Sequence, residues 1–251
     1  EVREELYKII RYWLDKGIRG FRFDVVNNID KRSFEDCPNG IGKQFYCDQP
    51  KVHEYLHEMN INTFGKVENC ITVGEMSATS VENCIGYTKP NNHELDMVFS
   101  FHHLKVDYKN KEKWTSMPFD FEELKSLLHT WQVEMQKGHG WNALFWNCHD
   151  QPRSVSRFGD DKNYRKESAK MLAATIHLMR GTPYIYQGEE IGMTNHYFTD
   201  IHQYQDVESI NAYHILKEQG INEKEIYKIL QEKSRDNART PMQWNNTENG
   251  G

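Results

Sequence analysis

An α/β fold organised around a parallel sheet is the prediction from this sequence, and three observations carry it. Short runs rich in β-branched and aromatic residues alternate along the chain with longer stretches of helical periodicity. Such alternation calls for crossover helices between parallel strands, in a sheet either doubly wound or closed as a barrel. Each strand-like run also ends on polar residues: Asp24, Glu75, His102 and His103, His149 and Asp150, Gln187 and Glu189. Barrels gather their chemistry on that rim. Finally, no GxGxxG or GxxxxGKS/T pattern follows any strand, which removes support for the nucleotide-binding versions and implies no cofactor.

The elements follow in order. Val2, Leu6, Ile9, Ile10, Trp13 and Leu14 recur at helical spacing, and Gly17 stands where a left-handed cap would close that helix. The run over 18–26 (IRGFRFDVV) is short and apolar enough for a buried parallel strand. Further strands are predicted over 71–75, 97–101, 142–147 and 183–187, with helices over 51–63, 79–86, 119–137 and 166–180. The pattern loosens over 188–251, a long excursion with helical stretches over 206–218 and 222–233. No Pro/Ser-rich linker or repeat interrupts it, so 1–251 is expected to be one domain.

A chain of 251 residues with 37% hydrophobic content can bury a substantial core. Its net charge of -6 and dispersed lysines and arginines argue against a nucleic-acid partner and for a small-molecule ligand. No apolar run approaches the roughly 20 residues needed to cross a bilayer, so no membrane partner is expected. Five cysteines, an odd count without a CxxC pair, suit the reduced thiols of a cytoplasmic protein, with a Cys37–Cys47 bridge as the alternative. His53 and His57 lie four apart on a predicted helix, but nothing is positioned to complete a tetrahedral site, so no metal is assigned and a helix surface is expected. Trp13, Trp131 and Trp141 are expected to be packing groups.

Asp24 and Glu75 end two successive predicted strands. Neighbouring strands lie about 4.8 Å apart, close to the roughly 5–5.5 Å between carboxyl groups that glycoside hydrolysis with retention needs. A third acid, Asp150 beside His149, can hold a distorted sugar ring and stabilise developing positive charge. Three acids at three strand tips describe a catalytic rim.

At these segments the sequence resembles the α-amylase family of glycoside hydrolases. GFRFDVVN is similar to the segment bearing that family's nucleophile and its arginine partner, which implies Asp24 and Arg22 for those roles. TVGEM implies Glu75 as acid/base, and FWNCHDQPR implies His149 as substrate-binding and Asp150 as transition-state stabiliser, with Cys148 where many relatives have Asn. GTPYIYQGEEIGMTN and SRDNARTPMQW resemble the exo-acting oligo-1,6-glucosidase branch, where the arginine matching Arg235 clamps the terminal glucose. Val25, directly after the nucleophile, is similar to members cleaving α-1,6 or α-1,1 bonds.

Within that branch, FHHLKVDY followed by KNKEKW resembles trehalose-6-phosphate hydrolases, with His102 and Lys105 where oligo-1,6-glucosidases carry acids. A phosphate on the leaving glucose requires cations beyond the cleaved bond. By that match Lys105 and Lys113 are the substrate-binding candidates, while Lys109 and Lys111 read as a solvated loop.

The resemblance thus implies a retaining hydrolase acting on trehalose 6-phosphate to give glucose and glucose 6-phosphate. The alternatives are an oligo-1,6-glucosidase or dextran glucosidase acting on unphosphorylated sugars, and a barrel relative without catalysis, against which all three acids stand. It implies a (β/α)8 TIM barrel present in part, strands 4 to 8. The first three strands, the small inserted domain, the last barrel helix and a C-terminal β domain are expected outside the chain. There, too, would lie an aspartate partner for Arg235 and any calcium or magnesium site, and this chain alone is expected to have little activity. The sequence leaves the oligomeric state open.

Overall fold

The computed structural model describes residues 1–38, 40–248 and 250. Two compact units make it up: Glu1–His103 with Lys125–Ala143 and Arg180–Thr182, and Leu104–Leu124 with Leu144–Met179 and Pro183–Gly251.

The first unit opens with helix α1 (Val2–Asp15). Gly17 follows at φ 93, and Ile18 N–H closes back onto the Trp13 carbonyl, the left-handed ending the sequence signals. Strand β1 (Gly20–Phe23) pairs in parallel with β2 (Ile71–Met76), and β2 with β3 (Met97–Ser100), in the order β1-β2-β3. Helices α2 (Lys51–Asn62), after β1, and α3 (Val81–Thr88), between β2 and β3, supply the crossovers. A parallel bridge from Val98 to Asn142 extends the sheet, and the Asn142 carbonyl accepts from Thr182 N–H. Strands β4 (Ala143–Leu144) and β5 (Thr182–Pro183) are therefore far shorter than predicted. Pro183 has no N–H to give a ladder, and the next bond runs from Tyr184 N–H to the Leu144 carbonyl at 2.7 Å.

The unit's core gathers Val52 and Leu56 of α2, Cys84 and Tyr87 of α3, Met76, Val98, and Trp131 and Met135 of α4 (Phe121–Lys137). Gly74 of β2 lies where a Cβ would stand 2.6 Å from Leu95 and 2.7 Å from Met76, both in that core. β1 departs from its expectation. As the outer strand of the β1-β2-β3 order its residues are half-buried or exposed rather than sealed. Trp13 also departs, lying 48% exposed on α1, whereas Trp131 is core.

In the second unit, α5 (Ser154–Phe158) and α6 (Arg165–His177) are followed by the hairpin of α7 (Val207–Glu218) and α8 (Glu223–Lys233). Gly220 at φ 79 and an Asn222 cap make the hairpin turn. Tyr213 and Leu216 of α7 pack on Ile226, Ile229 and Leu230 of α8. Asp107 is buried between Arg157 of α5, at 2.6 Å, and Lys233 of α8, at 2.7 Å. Burial pushes its carboxyl up, but those cations outweigh it and hold the group below the ordinary carboxylate range. Among the described residues no two cysteines are joined in a disulfide, and no helix is long and apolar enough to cross a membrane.

Candidate active site

In the first unit, the β1–β2 register ends on the Phe23–Gly74 pair, so Asp24 and Glu75 are each one residue further along their strands. They differ in setting: the Asp24 side chain is 72% exposed and that of Glu75 9%. Arg22 joins them, donating from Nη1 to Asp24 Oδ1 at 2.6 Å and from Nη2 to Glu75 Oε2. Its Cζ lies 5.6 Å from the ring centroid of Phe99, on β3 beyond β2. Immediately after Asp24 the chain turns through Val25 at φ 40 and ψ 42, the left-handed region, into a short 3-10 helix over Val26–Asn28. A β-branched side chain is disfavoured there, and such strain persists where the surroundings impose it.

In the second unit, Asp150 collects two arginines and a histidine. Arg235 Nη1 donates to its Oδ1 at 2.8 Å, Arg239 Nη2 reaches the same oxygen at 3.4 Å, and His149 Nε2 is 3.1 Å from Oδ2. Cys148 belongs to this turn, its Sγ accepting from the Asp150 N–H at 3.4 Å. Arg235 points its other amine at Asp206 Oδ1, 2.6 Å away. That hydrogen bond, ahead of the opposing effect of burial, raises the arginine's pKa further. Burial lifts the Asp206 carboxyl, but hydrogen bonds from Arg235 and Ser209 prevail and hold it below its ordinary value. Asp206 is also the N-cap of α7, accepting from Ser209 N–H through Oδ2 at 3.2 Å.

Arg235 thus has two acidic partners inside this chain, Asp150 and Asp206. Arg239 was unassigned, although it donates to the His149 carbonyl at 2.7 Å. Asp206 carried a signal, since an Asp three residues before Ser209 at a predicted helix start is a capping pattern. Arg239 carried none, its contact depending on a fold that joins residues 90 apart in sequence.

The cationic candidates have different surroundings. Lys105 is exposed, whereas Lys113 is one-fifth exposed, with Nζ 2.6 Å from Glu208 Oε2 and 4.7 Å from the Trp114 ring centroid. His102 lies flat on Trp131, centroids 3.6 Å apart, with Nδ1 2.6 Å from Ser100 Oγ. His53 and His57 are not a bare helix surface. His53 Nδ1 pairs with buried Glu94 at 2.9 Å and the ring stacks on Tyr87, while His57 Nδ1 meets the Asn92 carbonyl at 2.8 Å. No group of three or more His, Cys, Asp or Glu that could hold a metal ion occurs among the described residues.

Parallel strands with intervening helices and an arginine-bridged pair of acids at two neighbouring strand ends fit part of a (β/α) barrel of the glycoside-hydrolase type. The chain belongs to the α-amylase family: the model of the α-amylase catalytic domain matches residues 1–251. It is 60% identical over 252 residues to trehalose-6-phosphate hydrolase of Bacillus subtilis strain 168, covering 100% of this chain and 45% of that protein. It is 47% identical over 261 residues to an oligo-1,6-glucosidase of Parageobacillus thermoglucosidasius, covering 100% and 46%. The crystal structure of Bacillus licheniformis trehalose-6-phosphate hydrolase matches with a TM-score of 0.94 at 60% identity, covering 100% of this chain and 45% of that one. The chain thus spans less than half the length of these relatives.

Proposed function

We propose that the protein carrying this chain is a cytoplasmic retaining α-glucosidase that cleaves the α-1,1 bond of trehalose 6-phosphate. What carries the reading is Arg22 reaching the Asp24 and Glu75 carboxylates at once, a buried acid beside an exposed one. Asp24 attacks the anomeric carbon while the bond to the leaving oxygen breaks and Glu75 gives that oxygen its proton, releasing glucose 6-phosphate. Glu75 then takes a proton from water as the water oxygen displaces Asp24, releasing glucose with retained configuration. Asp150 stabilises the oxocarbenium-like charge, held by Arg235, Arg239 and His149. Arg235 and His149 bind the terminal glucose, and Lys105 and Lys113 the phosphate. The 60% identity to a trehalose-6-phosphate hydrolase, against 47% to an oligo-1,6-glucosidase, supports the phosphorylated substrate.

One observation favours the neutral substrate of an oligo-1,6-glucosidase: the Lys113 charge is already matched by Glu208. Hydrolysis of trehalose 6-phosphate and isomaltose by the protein carrying this chain decides between them, and preference for isomaltose overturns the phosphate reading. Asp24→Ala is expected to abolish turnover while leaving the circular dichroism spectrum unchanged; near-normal activity removes the nucleophile assignment. The 251-residue chain by itself is expected to show little turnover in the same assay.

A further inference from the structure

Asn27 has no catalytic chemistry to offer, is fully buried, and uses every polar atom of its side chain. Its Nδ2 donates to the Ser77 carbonyl at 2.7 Å and to Asp48 Oδ1 at 3.0 Å, and its Oδ1 accepts from the Ser77 N–H at 2.9 Å. Asn27 is three residues beyond Asp24 and Ser77 two beyond Glu75, so one amide is sewn to both faces of a single residue on the opposite strand-end loop. Between Asp24 and Asn27 lies the left-handed Val25, a backbone turn that needs an external restraint to persist. Asp48, itself at φ 50, backs the clasp: its N–H donates to the Asn27 carbonyl at 3.0 Å, and its carboxylate accepts from Asn83 at 2.9 Å and the Tyr87 hydroxyl at 2.8 Å. The β1–β2 hydrogen-bond ladder ends at Phe23 and Gly74, before either acid. Beyond that point the Asn27–Ser77 pair of bonds ties the Asn27 side chain to the backbone of the facing loop.

We infer that Asn27 is a positioning residue that fixes the separation and aim of the Asp24 and Glu75 carboxylates by clasping the two strand-end loops together. This rests on the proposed roles of those acids. A displacement of about 1 Å between reacting groups costs on the order of 100-fold in rate, so the effect belongs in kcat rather than in KM.

The test compares Asn27→Asp, Asn27→Ala and Tyr87→Phe with the parent in the protein carrying this chain. Sites able to react are counted by covalent trapping with a 5-fluoro-α-glucosyl fluoride. Asn27→Asp is isosteric and keeps the acceptor for Ser77 N–H but loses both donors. Tyr87→Phe removes a hydrogen bond to Asp48 while leaving the clasp intact. Expected are a fall in kcat per trapped site of about 100-fold in both Asn27 variants, little change in KM, and a displaced basic limb of the pH–rate profile. Tyr87→Phe should lower the melting temperature with kcat per site and pH limbs unchanged. If Asn27→Asp loses only melting temperature, or if Tyr87→Phe loses kcat equally, the clasp is structural and the inference fails. If Asn27→Ala does not fold, the Asn27→Asp result decides. A parent that turns over no α-glucoside, or an active Asp24→Ala, instead brings down the proposed function, a distinct outcome.

Discussion

At Arg235 one guanidinium spans two carboxylates, Asp150 at 2.8 Å and Asp206 at 2.6 Å. A lysine has one compact ammonium and cannot reproduce that two-ended geometry. Arg235→Lys is therefore expected to lower kcat/KM by about 100-fold, measured on trehalose 6-phosphate. Arg239→Lys, which keeps a cation near Asp150 but loses the 3.4 Å contact and the 2.7 Å bond from Nε to the His149 carbonyl, is expected to cost about tenfold. Equal losses in the two variants would show that charge near Asp150, not the fork, is what matters. The placing of Asp24 and Glu75 at neighbouring strand ends was legible in the sequence because each follows a run of strand character, whereas Asp150 stands six residues beyond the end of β4. The partners of Arg235 were not legible, because an ion pair across 29 or 85 positions is made by the fold and leaves no local pattern.

Among the elements, helices were read well and strands unevenly. α7 and α8 stand within a residue of their predicted bounds because amphipathic periodicity and Asp206 and Asn222 caps mark them locally. β4 and β5 shrink to two residues each because strand length depends on which neighbour supplies hydrogen bonds. α2 carries a pH dependence through His53. The hydrogen bond to Glu94 raises the histidine's pKa against the opposing effect of burial. A raised pKa means that the stabilisation is fully present below the unfolded value of about 6.5 and is lost as pH rises through the folded one. The side chain is 36% exposed, so solvent screens the pair. The melting temperature should fall by about 2 °C between pH 6 and 8.5, and His53→Asn should flatten that slope; a parallel slope in the variant would exclude His53 as its source.

At the scale of the whole chain, a net charge of -6 repels a dianion, so a phosphorylated substrate would have to be drawn in by local cations. Raising salt from about 0.01 to 1 M shortens the screening length from about 30 to 3 Å. Over that range kcat/KM for trehalose 6-phosphate should fall, and that for isomaltose should hold. Parallel behaviour of the two would leave Lys105 and Lys113 without a role. The alternating β/α order was visible in the sequence at this scale. The division into two units was not, since residues 125–143 and 180–182 return to the first unit without any linker composition to mark the passage.

Asp206 caps α7 with one oxygen and receives Arg235 with the other. The first turn of that helix and the set of the guanidinium are thus read by the same carboxylate. The amide proton of Ser209, 3.2 Å (N to O) from that carboxylate, becomes a native spectroscopic probe. Its chemical shift and exchange rate, read in isotope-enriched protein, would report on sugar binding without a dye or tag.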